Sequence, residues 1–306
     1  MILAMSACLG LLAGLLVLVA NTPPPVHAGE VSTEWHLLPA TNRIHPSNTL
    51  GDGVYTHDRP EASDDGTVLA FSYNVDAETA GVVGVDKYRP AVVYELGEVE
   101  HQVAALYPPT PSEGANEIYT GWVGVSGDGS SVAAWTSEIH PTESENPSVH
   151  RLVKWTDAGN FSWGAPQVLA TIDSGDWAMG RPWLSEDGSL VAYMFHDNSD
   201  GRQEIRVAGA SSVNVHGVIT DLALTPNGAY LYWLHDHQDA AAQFDLPSYE
   251  GGTHIMYMDT DTLAVGSVAL LNGPVGLDTS YGGRFIVTND GADSVLFDRG
   301  TSIPFS

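Results

Sequence analysis

Cysteine is all but absent. The single one, Cys8, lies in the apolar N-terminal segment, so a processed chain carries no disulfide, no thiolate metal site and no cysteine nucleophile. Basic residues are scarce too: Lys and Arg together number 11 against 38 Asp and Glu, and the lysines are Lys87 and Lys154 alone. The resulting net charge of −27 repels phosphate backbones and anionic membrane surfaces, which argues against nucleic acid as a partner. Past residue 28 no long helical pattern occurs. Nor is there a Gly-x-Ser-x-Gly elbow, a P-loop, a dinucleotide fingerprint or a His-Glu-x-x-His pair, so the chemistries those motifs serve have no support here.

What the chain has in quantity is turn formers and large flat side chains. It holds 32 Gly, 18 Pro, 8 Trp and 12 Tyr, a composition suited to a turn-rich all-β protein. Residues 2–20 are apolar apart from Ser6, and Val26-His27-Ala28 fits the small-residue rule for cleavage after Ala28, although no positive charges precede the apolar run. Segment 1–28 therefore reads as an apolar targeting helix, either a cleaved signal peptide or a retained membrane anchor, since about 20 apolar residues suffice to span a bilayer. Residues 29–306 read as one domain, exported to the periplasm, the cell surface or the medium. The acidity admits two readings, a hydrated surface suited to high salt or a site for cations and basic partners. The acidic residues are spread along the chain rather than clustered, which favours the first.

One pattern recurs: a short apolar strand, a Ser/Thr-x-Asp/Asn-Gly turn, then an apolar strand ending in polar residues. It reads Ser63-Asp64-Asp65-Gly66, then Ser126-Gly127-Asp128-Gly129, Ser185-Glu186-Asp187-Gly188 and Thr225-Pro226-Asn227-Gly228, with a degenerate fifth copy at Ser280-Tyr281-Gly282-Gly283. Asp-Gly and Asn-Gly supply the positive φ of a tight hairpin, and the Ser or Thr can bond the turn backbone. The copies return at intervals of roughly 40 to 60 residues, the period of propeller blades. Further strands are expected at 91–96 and 103–106, 152–155 and 167–170, 204–207 and 213–215, 254–258 and 265–271, and 294–297. The fold class expected is an all-β propeller of five four-stranded blades, with a sixth conceivable in 31–60. The piece around residues 34–38 is free to close the ring beside the fifth.

These turns resemble the TolB-like, WD-repeat-like propeller family, whose repeat reads Ser-Pro-Asp-Gly. The resemblance covers residues 53–298; proline stands in one copy only, at Pro226, and the fifth copy lacks the turn aspartate. It implies a scaffold that hosts unrelated functions. It also offers a precedent for metal binding, since the family includes an oligogalacturonate lyase with a histidine-bound metal.

In this scaffold the Asp-Gly turns lie at one face, and the loops after each second strand lie at the other. Those loops are rich in His and carboxylates. His196, His235, Asp236 and His237 are candidate ligands for a divalent metal, with His235 and His237 two apart on a strand and so on one side of it; solvated strand ends explain the same residues more simply. Around the channel, Asp176, Trp177, Arg181 and Trp183 combine an anion-binding Arg with two indoles, and Trp122, Asp58 and Arg59 occupy the matching stretches of neighbouring blades. The competing explanation is that Trp122 and Trp183 pack between blades while Arg181 pairs a local carboxylate such as Asp176. Asp58, Asp176 and Asp221 are the first carboxylates for any acid–base chemistry. The function expected is a non-catalytic binding module with a protein or glycan ligand and no cofactor. The alternatives are a glycosidase or metal-dependent lyase, and an anchored structural subunit of the cell surface.

If the acidity is a solvated surface under self-repulsion, added salt stabilises the fold, because the screening length falls from about 10 Å at 0.1 M to about 3 Å at 1 M. Thermal melts across that range are expected to rise by several degrees. A melting temperature that stays flat or falls contradicts this reading.

Overall fold

In the computed structural model, residues 61–72, 75–76, 87–96, 101–110, 117–139, 149–173, 177–197, 202–208, 212–215, 217–244, 252–271, 274–279, 285–290, 293–298 and 303–305 are described. All belong to the unit Thr49–Ser306; the other unit, Met1–Asn48, lies outside them, as do the targeting segment, its cleavage site and the whole of 31–60.

The chain enters its first sheet through β1 (Glu61–Ala62) and β2 (Val68–Ser72), leaves for a hairpin of β3 (Val75–Asp76) and β4 (Lys87–Arg89), and returns as β5 (Ala91–Leu96) and β6 (His101–Leu106). The second sheet runs β7 (Glu117–Val125), β8 (Ser131–Ile139), β9 (Val149–Thr156), β10 (Gln167–Asp173). The third is β11 (Trp177–Leu184), β12 (Val191–Asp197), β13 (Arg202–Val207), β14 (Ser212–Val215). The fourth is β15 (Ile219–Leu224), β16 (Tyr230–Asp236), β17 (Thr253–Asp259) and β18 (Val265–Leu271), with helix α1 (His237–Phe244) between its second and third strands. The fifth is β19 (Pro274–Thr279), β20 (Phe285–Asp290), β21 (Asp293–Asp298) and β22 (Ile303–Phe305).

Among the described residues the sheets thus number five, each an antiparallel run of consecutive strands. The β3–β4 hairpin is the exception: β4 pairs in parallel with β7, Tyr88 opposite Ile118, and widens the second sheet to six strands. The fifth sheet takes its fourth strand from β22; the piece around residues 34–38, expected to be free to close the ring beside it, lies outside the described residues. One expectation is corrected. The strand carrying His235 ends at Asp236, and His237 opens α1.

The second strand of a sheet is apolar at nearly every position because both of its faces are covered. In β16, Leu231 and Trp233 point into a cluster with Met194, Ile205 and Val215 of the third sheet. The alternate residues Tyr232 and Leu234 point the other way, towards Ile286 of the fifth. In β8, Val132 and Ala134 meet Val68, Ala70 and Val93 of the first sheet, while Ala133 and Trp135 meet Val191, Tyr193 and Phe195 of the third. The core is therefore a series of layers between successive sheets. Each fully buried Leu or Trp in it contributes about 1.5–3 kcal/mol.

The turns set the spacing of those layers. In the first, the Ser63 hydroxyl donates to the Asp65 carboxylate (2.7 Å) and accepts from the Val68 N–H (3.0 Å), while the Thr67 N–H also donates to Asp65 (2.9 Å). The same three bonds recur on Ser126 and Asp128 and on Ser185 and Asp187, and the two from backbone N–H groups recur on Thr225 and Asn227. The Thr67 and Ser189 N–H groups are the main reason the Asp65 and Asp187 carboxyls lie below their ordinary value.

Successive turns are also bonded to each other: the Asp64 N–H donates to Gly127 O (2.9 Å), Asp128 N–H to Glu186 O (2.9 Å), and Glu186 N–H to Pro226 O. At this range the neighbour leaves no room for a side chain. A Cβ on Gly188 would stand 2.4 Å from Ser131 Cβ, and one on Gly129 or Gly228 would overlap Val68 or Leu190; one on Gly66 meets nothing within 4 Å. Between the fourth and fifth sheets the tie among the described residues is a side chain. The Asp221 carboxylate accepts from its neighbour Leu222 N–H (2.8 Å) and from Leu277 N–H of β19 (2.9 Å).

Two predictions follow from these joints. Gly66 and Gly188 share a positive φ (+70° and +64°), so Gly66→Ala carries only the left-handed penalty of about 1–2 kcal/mol. Gly188→Ala adds the overlap with Ser131 and is expected to lose about twice as much or more in a urea melt; equal losses would refute a spacing role. For Asp221, burial raises the carboxyl above 3.8, against the opposing pull of the Leu222 and Leu277 N–H groups and of Arg181. The folded state therefore holds this proton more tightly than the unfolded chain. The contribution of Asp221 is fully present below its unfolded value and is lost as pH rises through the raised one. Asp221→Asn sets an amide N–H against one of the two donors, at a cost of about 1–3 kcal/mol. The gap between parent and variant is expected to widen as urea melts are moved from pH 7 towards about pH 4.

Candidate ligand site in the channel

Each first strand after β1 pairs irregularly with its neighbour. The register shifts between Thr120 and Val123, Met179 and Trp183, Ile219 and Asp221, and Pro274 and Leu277. Bulges of this kind re-aim side chains, and here they fall on Trp122, Arg181, Thr220 and Gly276. The first strands of all five sheets line a single cavity of about 620 Å³, with Glu61, Asp64, Arg181, Trp183, Glu186 and Asp278 among its walls. The turn residues Asp64, Gly127, Glu186 and Pro226 belong to that lining, so the cavity reaches the Asp-Gly end of the channel. The sequence directs attention to the loops at the other end.

Arg181 is the centre of the site. Its Nη1 donates to Glu61 Oε2, an ion pair that joins the third sheet to the first past the second. Its guanidinium carbon lies 5.7 Å from the Trp183 ring centroid, within cation–π range. Among the described residues its acidic partner is Glu61; Asp176 lies outside them. Beside it, Gly180 has φ +65°, and a Cβ there would come within 3.4 Å of Trp183 Cη2 and 3.9 Å of Trp122 Cζ3. Two indoles from adjacent sheets therefore close over a bare backbone, and Trp122 stays 49% exposed. Asp221 stands behind the wall, bonded to the N–H of the lining residue Leu277.

The structure brings together Arg181, Trp183 and Trp122 and places Asp221 next to them. Asp58, Arg59 and Asp176 lie outside the described residues; Trp177 begins β11, paired with His196, but its side chain is among those not described. Sequence reasoning passed over Glu61, Asp64, Glu186 and Asp278. Two of them had a signal: Asp64 and Glu186 fill the variable position of the Ser-x-Asp-Gly turn.

Of the four metal candidates, His237 has a side chain that is not described; the other three can be placed. His196 is half-buried near the end of β12. His235 is fully buried, its ring 6.0 Å from Phe244 and edge-on to it, with His254 opposite on β17. His254 itself bonds Ser267 Oγ through Nδ1 (2.9 Å). Asp236 is exposed, and its N–H donates to Val218 O. Among the described residues no three His, Cys, Asp or Glu side chains stand close enough to hold a metal, and no helix is long and apolar enough to cross a membrane.

No family model matches the chain, and no curated protein sequence matches it. Solved structures do. An oligogalacturonate lyase in complex with manganese superposes with a TM-score of 0.52 at 17% identity, over 80% of this chain and 63% of that one. An oligogalacturonate lyase from Vibrio parahaemolyticus gives 0.51 at 14% identity over the same shares. The chain spans less than two thirds of either lyase. The β-propeller domain of the trilobed protease from Pyrococcus furiosus, which has an open velcro topology, gives 0.52 at 9% identity, over 82% of this chain and 70% of that one. What is shared at these identities is the fold, a β-propeller.

Proposed function

We propose that this chain is an exported, non-catalytic binding propeller of five or six blades, TolB-like in its repeat, which takes a protein or glycan ligand in its channel. The observation that carries this reading is the Arg181–Glu61 pair. It presents donors and acceptors together, against an indole, inside a cavity whose size falls within the roughly 300–1,000 Å³ of small-ligand sites. Export rests on the apolar segment and cleavage signal of residues 1–28.

One observation favours a second reading, a carbohydrate-active enzyme acting by hydrolysis. Asp221 holds its proton more tightly than an ordinary carboxyl, while Glu61 lies against the Arg181 cation. Two carboxyls in such different surroundings, one buried and one against a cation, suit the two roles of a glycosidase pair. Both Asp221 oxygens already accept backbone N–H bonds, however, which fits a structural tie better than a proton donor.

The test is to incubate purified protein with oligosaccharides and peptides, following tryptophan fluorescence for binding and ligand mass for turnover. Saturable binding with the ligand mass unchanged is expected, weakened in Arg181→Gln. Shortened or unsaturated sugar products, lost in Asp221→Asn, would replace this reading with the enzymatic one.

A further inference from the structure

The two indoles and the charge of the wall together narrow the ligand class. Trp183 lines the cavity; Trp122 is not among the lining residues, but it approaches Trp183 over Gly180 and keeps about half of its surface open. An indole face stacks on the C–H face of a pyranose ring, and planar carboxylate and guanidinium groups match pairs of neighbouring hydroxyls. The Glu61–Arg181 pair supplies both groups at one point.

Charge then separates the candidates. Among the described lining residues, Glu61, Asp64, Glu186 and Asp278 are acidic and Arg181 alone is basic. A polyuronate would bring like charge to that wall, and the net charge of −27 repels it before contact. A basic peptide is attracted, but the position its guanidinium would seek, between a carboxylate and an indole, is already filled by Arg181. An uncharged sugar needs neither displacement nor charge compensation.

We propose that the channel receives an uncharged glycan, with a pyranose ring stacked on Trp122 and Trp183 and its hydroxyls held by Glu61 and Arg181. This rests on the binding reading above and names its ligand.

The experiment titrates the full processed chain, by intrinsic tryptophan fluorescence, with cellohexaose, xylohexaose and mannohexaose. Polygalacturonate and an Arg/Lys-rich peptide are titrated in parallel. At least one neutral hexasaccharide is expected to give a saturable shift that added salt leaves unchanged. Trp122→Ala should weaken it about tenfold without altering the melting temperature, since Trp122 is half-exposed. Arg181→Gln should weaken it as well. If polygalacturonate or the peptide binds in its place, and Trp122→Ala or Arg181→Gln weakens that binding, the glycan class is wrong while the channel site stands. If no probe binds, or both variants bind a sugar as well as the parent does, the channel assignment falls with the proposal.

Discussion

Where one sheet meets the next at the turn face, main chain touches main chain. Asp64 reaches Gly127, Asp128 reaches Glu186 and Glu186 reaches Pro226, each by a backbone hydrogen bond, and the turn glycine of the later sheet rests on the Ser or the first strand residue of the earlier one. This contact fixes the distance between sheets. The apolar layers, Leu231 and Trp233 on one side of β16 and Tyr232 and Leu234 on the other, fill a gap whose width the turns have set. The first strands lie where those distances leave them, around the cavity. The repeated Gly thus meets two demands, a positive φ and a bare Cα, and only the first is visible in the turn itself.

The propeller was legible because its determinants are local. Ser63 to Val68, Ser126 to Ser131, Ser185 to Leu190 and Thr225 to Tyr230 are six-residue loops closed by their own side chains, so each copy carries its geometry in its letters. The departures arise where the determinant is distant. The β3–β4 hairpin holds its place by pairing with β7 of another sheet, which no pattern within residues 75–89 announces. α1 begins immediately after a strand, so His235 and His237 looked like one alternating run. β22 is a three-residue strand whose partner is β21.

The site was legible in part for the same reason. Arg181 and Trp183 stood out because Arg and Trp are bulky and stand two apart, and Trp122 because it occupies the matching stretch of the neighbouring blade. Glu61 did not, since its role depends on a partner 120 residues away across the channel. Asp221 was chosen as a carboxylate for chemistry, and its two backbone donors make it first of all a joint between sheets. The acidic wall was hidden in plain view: Asp64 and Glu186 sit inside the motif read as a turn.

Apart from the β3–β4 hairpin, each sheet among the described residues is built from strands that follow one another in the chain. The consequence concerns order of assembly. A chain delivered from its N-terminus can finish the first sheet before the third has emerged, and each new sheet finds an apolar face already waiting. The long-range pairings that slow β-sheet folding are largely avoided. The exceptions are the contacts that bypass a neighbour, above all Arg181 to Glu61, which can close only once three sheets stand together. The channel is therefore among the last features to be completed.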